Sequence, residues 1–245
     1  MCERCFYATT MRAMAERRAV LKLAATAAAG LLSLPHALAQ TPKEPPKPQN
    51  VLSPDAALDR LMQGNSRYVD GVSKRHDFTN EREPLRTGQN PFAGILSCAD
   101  SRIAPEYCFD TARGDIFVCR VAGNFASDEI VASVEYAVQV LETPFILVLG
   151  HDACGAVDAT IKSLKDGVTL PGHLPSLVAA ISPAVKAAQG GSGDMLENAI
   201  RRNVTLNVEK LRTAAPIINT FVESKKLRIV GGIYKLASGK VELLV

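Results

Sequence analysis

The sequence predicts an α/β fold: a central, mostly parallel β-sheet flanked by helices, with an antiparallel edge strand available at the C-terminus. Three observations predict it. Four short apolar runs, at 92–98, 115–123, 145–151 and 227–234, are nearly continuous rather than alternating, the pattern of strands buried on both faces. Helical stretches separate some of them, at 126–141 and along 175–223. The composition, 47% hydrophobic and 22% charged over 245 residues, is that of a chain able to build its own core.

Taken in order, residues 1–39 read as an export signal rather than as fold. Arg17 and Arg18 precede an apolar stretch from Leu23 to Leu34, and Pro35 and the small-residue end Ala37-Leu38-Ala39 follow, with cleavage expected after Ala39. Arg17-Arg18-Ala19-Val20-Leu21-Lys22 resembles a twin-arginine signal, which exports folded proteins to the periplasm; a Sec signal or a membrane anchor is the alternative. This segment holds five of the 28 basic and two of the 25 acidic residues, which leaves 23 of each. The remainder is formally neutral, so charge gives no reason to expect nucleic acid or anionic lipid as partner. Residues 40–50, with four prolines between 41 and 50, read as an extended tether, and a single catalytic domain is expected over 51–245.

Ser53 is a candidate N-cap with Pro54 at the first helical position, and Ala57, Leu58, Leu61 and Met62 follow at helical spacing, so 53–69 is an opening helix with apolar surface to offer a partner. The first strand ends at Cys98 and the third at Gly150-His151. Ligands of open α/β sheets sit outside the carboxyl ends of strands, so Cys98 and His151 are able to meet although they stand 53 positions apart. Lys240–Val245, after the turn-like Ser238-Gly239, supplies the edge strand.

His151 and Cys154 stand three apart just past a strand, and with Cys98 they form a Cys₂His set that favours zinc. Three protein ligands with an open fourth position is the pattern of catalytic zinc. His76 and His173 lack ligand spacing to the set and His36 falls in the signal. Asp100 lies at the same strand end, but Arg102 beside it is expected to hold the carboxylate ionised and off the metal. Cys2 and Cys5 go with the signal, and Cys108 and Cys119 are read as buried core thiols, a disulfide between them being the alternative.

Cys98-x-Asp100-x-Arg102 followed by His151-x-x-Cys154 resembles the β-class carbonic anhydrases, and the likeness extends over 51–245 through "GDIFVCRVAGN", "SVEYAVQVL" and "GGIYKLASGKVELL". The resemblance implies one zinc ion per chain on Cys98, His151 and Cys154, an Asp100–Arg102 pair that orients a water, and reversible hydration of carbon dioxide to bicarbonate by zinc-bound hydroxide. One subtype carries a tryptophan three residues before the first ligand; this chain has Ile95 there and no tryptophan. Gln89, nine positions before Cys98, and Tyr136, fifteen before His151, resemble instead the substrate pocket of the plant-like open subtype, with Phe117 as a third pocket residue. Ala122 and Gly123 depart from the bulkier residues of plant members. The resemblance also implies a homodimer or higher oligomer, with Gln89 supplied by the neighbouring chain.

Two rival functions remain at this level. Carbonyl sulfide and carbon disulfide are isoelectronic with carbon dioxide, so a hydrolase of either fits the same scaffold. A non-catalytic structural-zinc or redox protein leaves Asp100, Arg102 and Gln89 without a task. Arg120, Glu135 and Asp152 read as salt-bridge or interface residues.

Overall fold

A computed structural model describes residues 50–244, so the expected export signal (1–39) and all but the last residue of the expected tether lie outside the described residues. Helix α1 (Pro54–Val69) starts as its sequence requires: the Ser53 hydroxyl accepts from the Ala56 N–H at 3.2 Å, and Pro54 occupies the first turn. Its apolar stripe of Ala57, Leu58 and Leu61 is buried within its own chain, with Met62 half-buried beside it. Asn65, one turn on, ties the helix down: its Nδ2 donates to the carbonyls of Cys108 and Gly239 at 3.0 and 2.8 Å, and its Oδ1 accepts from the Val241 N–H at 2.9 Å.

After a short helix α2 (Arg82–Leu85) come β1 (Ala93–Ser97), α3 (Pro105–Cys108), β2 (Ile116–Arg120), α4 (Asp128–Gln139) and β3 (Phe145–His151). The segment 175–223 resolves into three helices, α6 (Leu174–Ala188), α7 (Met195–Arg212) and α8 (Ile218–Glu223), preceded by α5 (Gly155–Asp166) and followed by β4 (Arg228–Tyr234) and β5 (Val241–Leu244). The sheet order is β2-β1-β3-β4-β5. All neighbours are parallel except β5, which returns antiparallel on β4 as the C-terminal sequence allows.

Both faces of the sheet are covered. Ile95, Leu147 and Leu149 join a cluster with α1 and α6, while their strand neighbours Leu96, Ile146 and Val148 join a second with α4, α7 and α8. The period of two along a strand sends successive side chains into two cores, so β1 and β3 are buried at every position and polar only at their carboxyl ends, Ser97 and His151. β2 departs from the expectation of burial on both faces. It is an edge strand with only β1 beside it, and its residues are half-buried or exposed.

This order puts the switch point between β1, whose next strand lies on one side, and β3, which lies on the other. Ser97 pairs with Leu149 across that boundary, and His151 is the last residue of β3. Cys98 therefore emerges one strand spacing, about 4.8 Å, from the end of β3.

Candidate metal centre and active site

Cys98 follows the last residue of β1, His151 closes β3, and Cys154 stands immediately before α5. All three are buried, and their ligating atoms lie within 4.8 Å of one another. The turn that brings Cys154 back to His151 passes through Ala153, a non-glycine residue with φ +50°. That left-handed conformation costs on the order of 1 kcal/mol, and it stands between two of the three ligating residues.

The His151 ring is oriented by its neighbour's backbone. Its Nδ1 lies 2.8 Å from the Asp152 carbonyl, which accepts only if Nδ1 carries the proton. Nε2 is then a bare acceptor, buried and without a hydrogen-bond partner. A buried orphan lone pair facing two thiols is what a cation site looks like before the cation, and the soft S₂N donor set suits zinc. A hydrogen bond from the Cys154 thiol to the Cys98 sulfur links the pair. Donation from Cys154 pulls Cys98 well below the ordinary thiol range, against burial, with further help from the Gly123 and Asp100 N–H groups. Cys154 is pushed up by the same hydrogen bond and by burial.

Asp100 and Arg102 form the expected pair. Arg102 Nε donates to Oδ1 at 2.9 Å, its Nη2 to Oδ2 at 2.7 Å, and its backbone N–H to Oδ1 at 2.9 Å. These bonds, the side-chain bond foremost, hold the carboxyl far below the usual carboxylate range. Oδ1 is thus doubly occupied, whereas Oδ2 takes one donor and lies 3.8 Å from His151 Nε2. The free lone pair of the carboxylate is therefore on the side of the cluster. Arg102 Nη2 also reaches the Ala153 carbonyl at 3.2 Å, so one guanidinium fastens Asp100 to the strained turn between His151 and Cys154.

The residues expected to line a substrate pocket are less gathered. Phe117 on β2 and Tyr136 on α4 face each other with ring centroids 6.4 Å apart, and Tyr136 is 48% exposed. Gln89 is exposed in the coil ahead of β1. Cys108 and Cys119 are free thiols, so the disulfide alternative does not hold. Cys108 is buried as expected; Cys119, on the edge strand, is half-buried rather than core.

Arg120 was undervalued by its sequence reading. Its Nε donates to the Cys98 carbonyl at 3.0 Å, and its Nη2 to the carbonyls of Asp100 and Ile103 at 2.8 Å each. Among the described residues it makes no salt bridge; within its own chain it is a clamp on the loop that carries Cys98 and the carboxylate. A signal was present: like Cys98 and His151, Arg120 terminates a strand at the carboxyl edge. Asp152 is structural, its Oδ1 accepting from the Leu236 N–H at 2.9 Å, and Glu135, half-buried on α4, makes none of these contacts.

A family model described as carbonic anhydrase matches residues 93–241. Carbonic anhydrase 2 of Mycobacterium tuberculosis is 36% identical over 192 residues, covering 78% of this chain and 93% of the relative. The carbonic anhydrase of Mycolicibacterium smegmatis is likewise 36% identical over 192 residues, covering 78% and 93%. Among solved structures, the β-carbonic anhydrase CcaA superposes with a TM-score of 0.58 at 27% identity, covering 76% of this chain and 94% of that one. The β-carbonic anhydrase of Coccomyxa, solved with acetazolamide, gives 0.59 at 25% identity, covering 78% and 82%.

Proposed function

The chain belongs to the carbonic anhydrase family, in its β class, and on that premise we propose that it hydrates carbon dioxide reversibly to bicarbonate and a proton. The supporting observation is the juxtaposition of Cys98, His151 and Cys154 with a carboxylate whose free lone pair lies beside them. Those three residues would hold one zinc ion per chain. When bound, the ion supplies Lewis acidity that brings the pKa of a ligated water down toward about 7.

The chain's own groups do the rest. Asp100 Oδ2 accepts a hydrogen bond from a water at the centre and so fixes which way its remaining lone pair points. Arg102 keeps that carboxylate ionised and fixes its plane, so the acceptor neither titrates near neutrality nor swings onto the ligands. Phe117 supplies apolar surface suited to a non-polar gas, and Gln89, reaching in from a second copy, donates to a developing bicarbonate oxygen. With Ile95 where a tryptophan would stand, the site is of the open subtype at neutral pH. Residues 1–39 direct the chain out of the cytoplasm, which Arg17→Lys with Arg18→Lys would abolish on a twin-arginine route.

Elemental analysis and stopped-flow carbon dioxide hydration test the central reading together. We expect one zinc per chain and fast hydration, with Cys154→Ser losing both. A zinc-free active enzyme, or a zinc-loaded one inert toward carbon dioxide, sinks it. Mixing inactive Gln89→Ala and Asp100→Ala chains tests the shared pocket: a heterodimer pairs one intact Gln89 with one intact Asp100, so activity returns. No recovery at concentrations where chains exchange would refute it.

A further inference from the structure

Helix α7 carries Asn203, Asn207 and Lys210 along one face, and all three serve a single loop. Asn203 Nδ2 donates to the Gly123 carbonyl at 2.7 Å, Asn207 Oδ1 accepts from the Ala126 N–H at 2.7 Å, and Lys210 Nζ donates to the Ala126 carbonyl at 2.5 Å. Asn207 Nδ2 returns to Asn203, donating to its carbonyl at 2.8 Å and to its Oδ1 at 3.2 Å. Asn203 is 2% exposed and Asn207 7%. Buried carboxamides are expensive unless every bond is made, so this stripe specifies where the loop lies.

What the loop delivers is one hydrogen bond. The Gly123 N–H donates to Cys98 Sγ at 3.2 Å. Gly123 has φ +84°, and a Cβ there would come within 2.5 Å of Ile181 Cδ1, so only glycine holds this conformation. Asn203 fixes the carbonyl on one side of the Gly123 Cα while Cys98 receives the N–H on the other. Two thiolates make a metal centre electron-rich, and an N–H···S bond withdraws charge from one of them.

We propose that Asn203, braced by Asn207, is a positioning residue for the metal centre: it fixes Gly123 so that its N–H donates to Cys98 Sγ and tempers that sulfur's donation to a bound ion. The inference rests on the zinc reading above. It assigns a metal-tuning role to a helix that contributes no ligand.

The test uses the full chain loaded with zinc or with cobalt(II). In near-isosteric Asn203→Leu, the thiolate-to-cobalt charge-transfer band should move to longer wavelength, and a chelator should strip zinc about tenfold faster, the usual scale for losing an outer-shell partner. Leu211→Ala, fully buried on the same helix but with no side-chain hydrogen bond to the loop, is the control for mere destabilisation. It should lower the melting temperature yet leave the band and the release rate unchanged. A wild-type band and release rate in Asn203→Leu, or an equal shift in Leu211→Ala, overturns the inference while leaving the zinc reading intact. A wild-type chain that takes up neither metal overturns both. Should Asn203→Leu fail to fold, Asn207→Leu removes the brace and carries the same expectation at smaller amplitude; a wild-type band there refutes the proposal.

Discussion

Replacing Arg120 by alanine separates what the loop sequence does from what its clamp does. The guanidinium holds three carbonyls, those of Cys98 and Ile103 partly buried and that of Asp100 at the surface. Hydrogen bonds to a charged group contribute about 1.5–3 kcal/mol where water is kept out, and the exposed one is replaced by solvent at little cost. Arg120 is itself exposed, so the lower figure applies to the two sheltered bonds, and Arg120→Ala should lose about 3 kcal/mol of stability. For a domain of this size that corresponds to a melting temperature about 6–12 °C lower. The freed loop carries both a ligand and the carboxylate, so hydration should slow by about 10–100-fold, entirely in kcat, since no contact to an apolar gas is removed. Arg120→Lys, a point charge without the fork, cannot reproduce all three bonds and should recover only part of either loss. Calorimetry and stopped-flow hydration on the same zinc-assayed samples decide it. An Arg120→Ala enzyme that melts and turns over like the wild type would refute the clamp.

Two further outcomes follow from the packing. Gly64 lies inside α1, where alanine is intrinsically favoured by about 1 kcal/mol. A Cβ there would sit 1.9 Å from the Phe109 carbonyl oxygen, which belongs to backbone and cannot rotate away. Overpacking of that kind costs about 1–3 kcal/mol, so Gly64→Ala should lower the melting temperature despite its better propensity; an unchanged or raised value would show that α1 slides freely. Burial pushes the Cys108 thiol up to about 12, partly offset by the Asn65 amide. A raised folded-state value means stability is whole below the unfolded thiol's pKa of about 9 and drains as pH rises toward 12, by at most about 1.4 kcal/mol per pH unit. Urea titrations between pH 8 and 11 should therefore show a steeper alkaline fall for the wild type than for Cys108→Ala, and parallel curves would contradict the assignment.

How much of this molecule is written along the chain depends on the range of the interaction concerned. Ser53 and Pro54 announced α1 because capping is settled within one helical turn. The apolar runs announced β1 and β3 because burial on both faces leaves polar residues only at the carboxyl ends, and His151-x-x-Cys154 was legible because a strand end and a three-residue turn hold both residues locally. Cys98 could be joined to them because parallel strands share a carboxyl edge, whatever their order. Order was another matter: nothing in 115–123 says that β2 lies at the rim, since an edge and a central strand differ only in what packs beside them. Asn203 was opaque for the same reason, and Arg120 was marked only by its place at a strand end. A charged residue at a strand end and an asparagine on a helix read as surface, and become a clamp and a buried brace only when the loops at 98–103 and 123–126 come to rest against them. Their partners are backbone carbonyls, which every residue carries, so the sequence by itself fixes which groups donate, while tertiary packing alone decides which carbonyl is in reach.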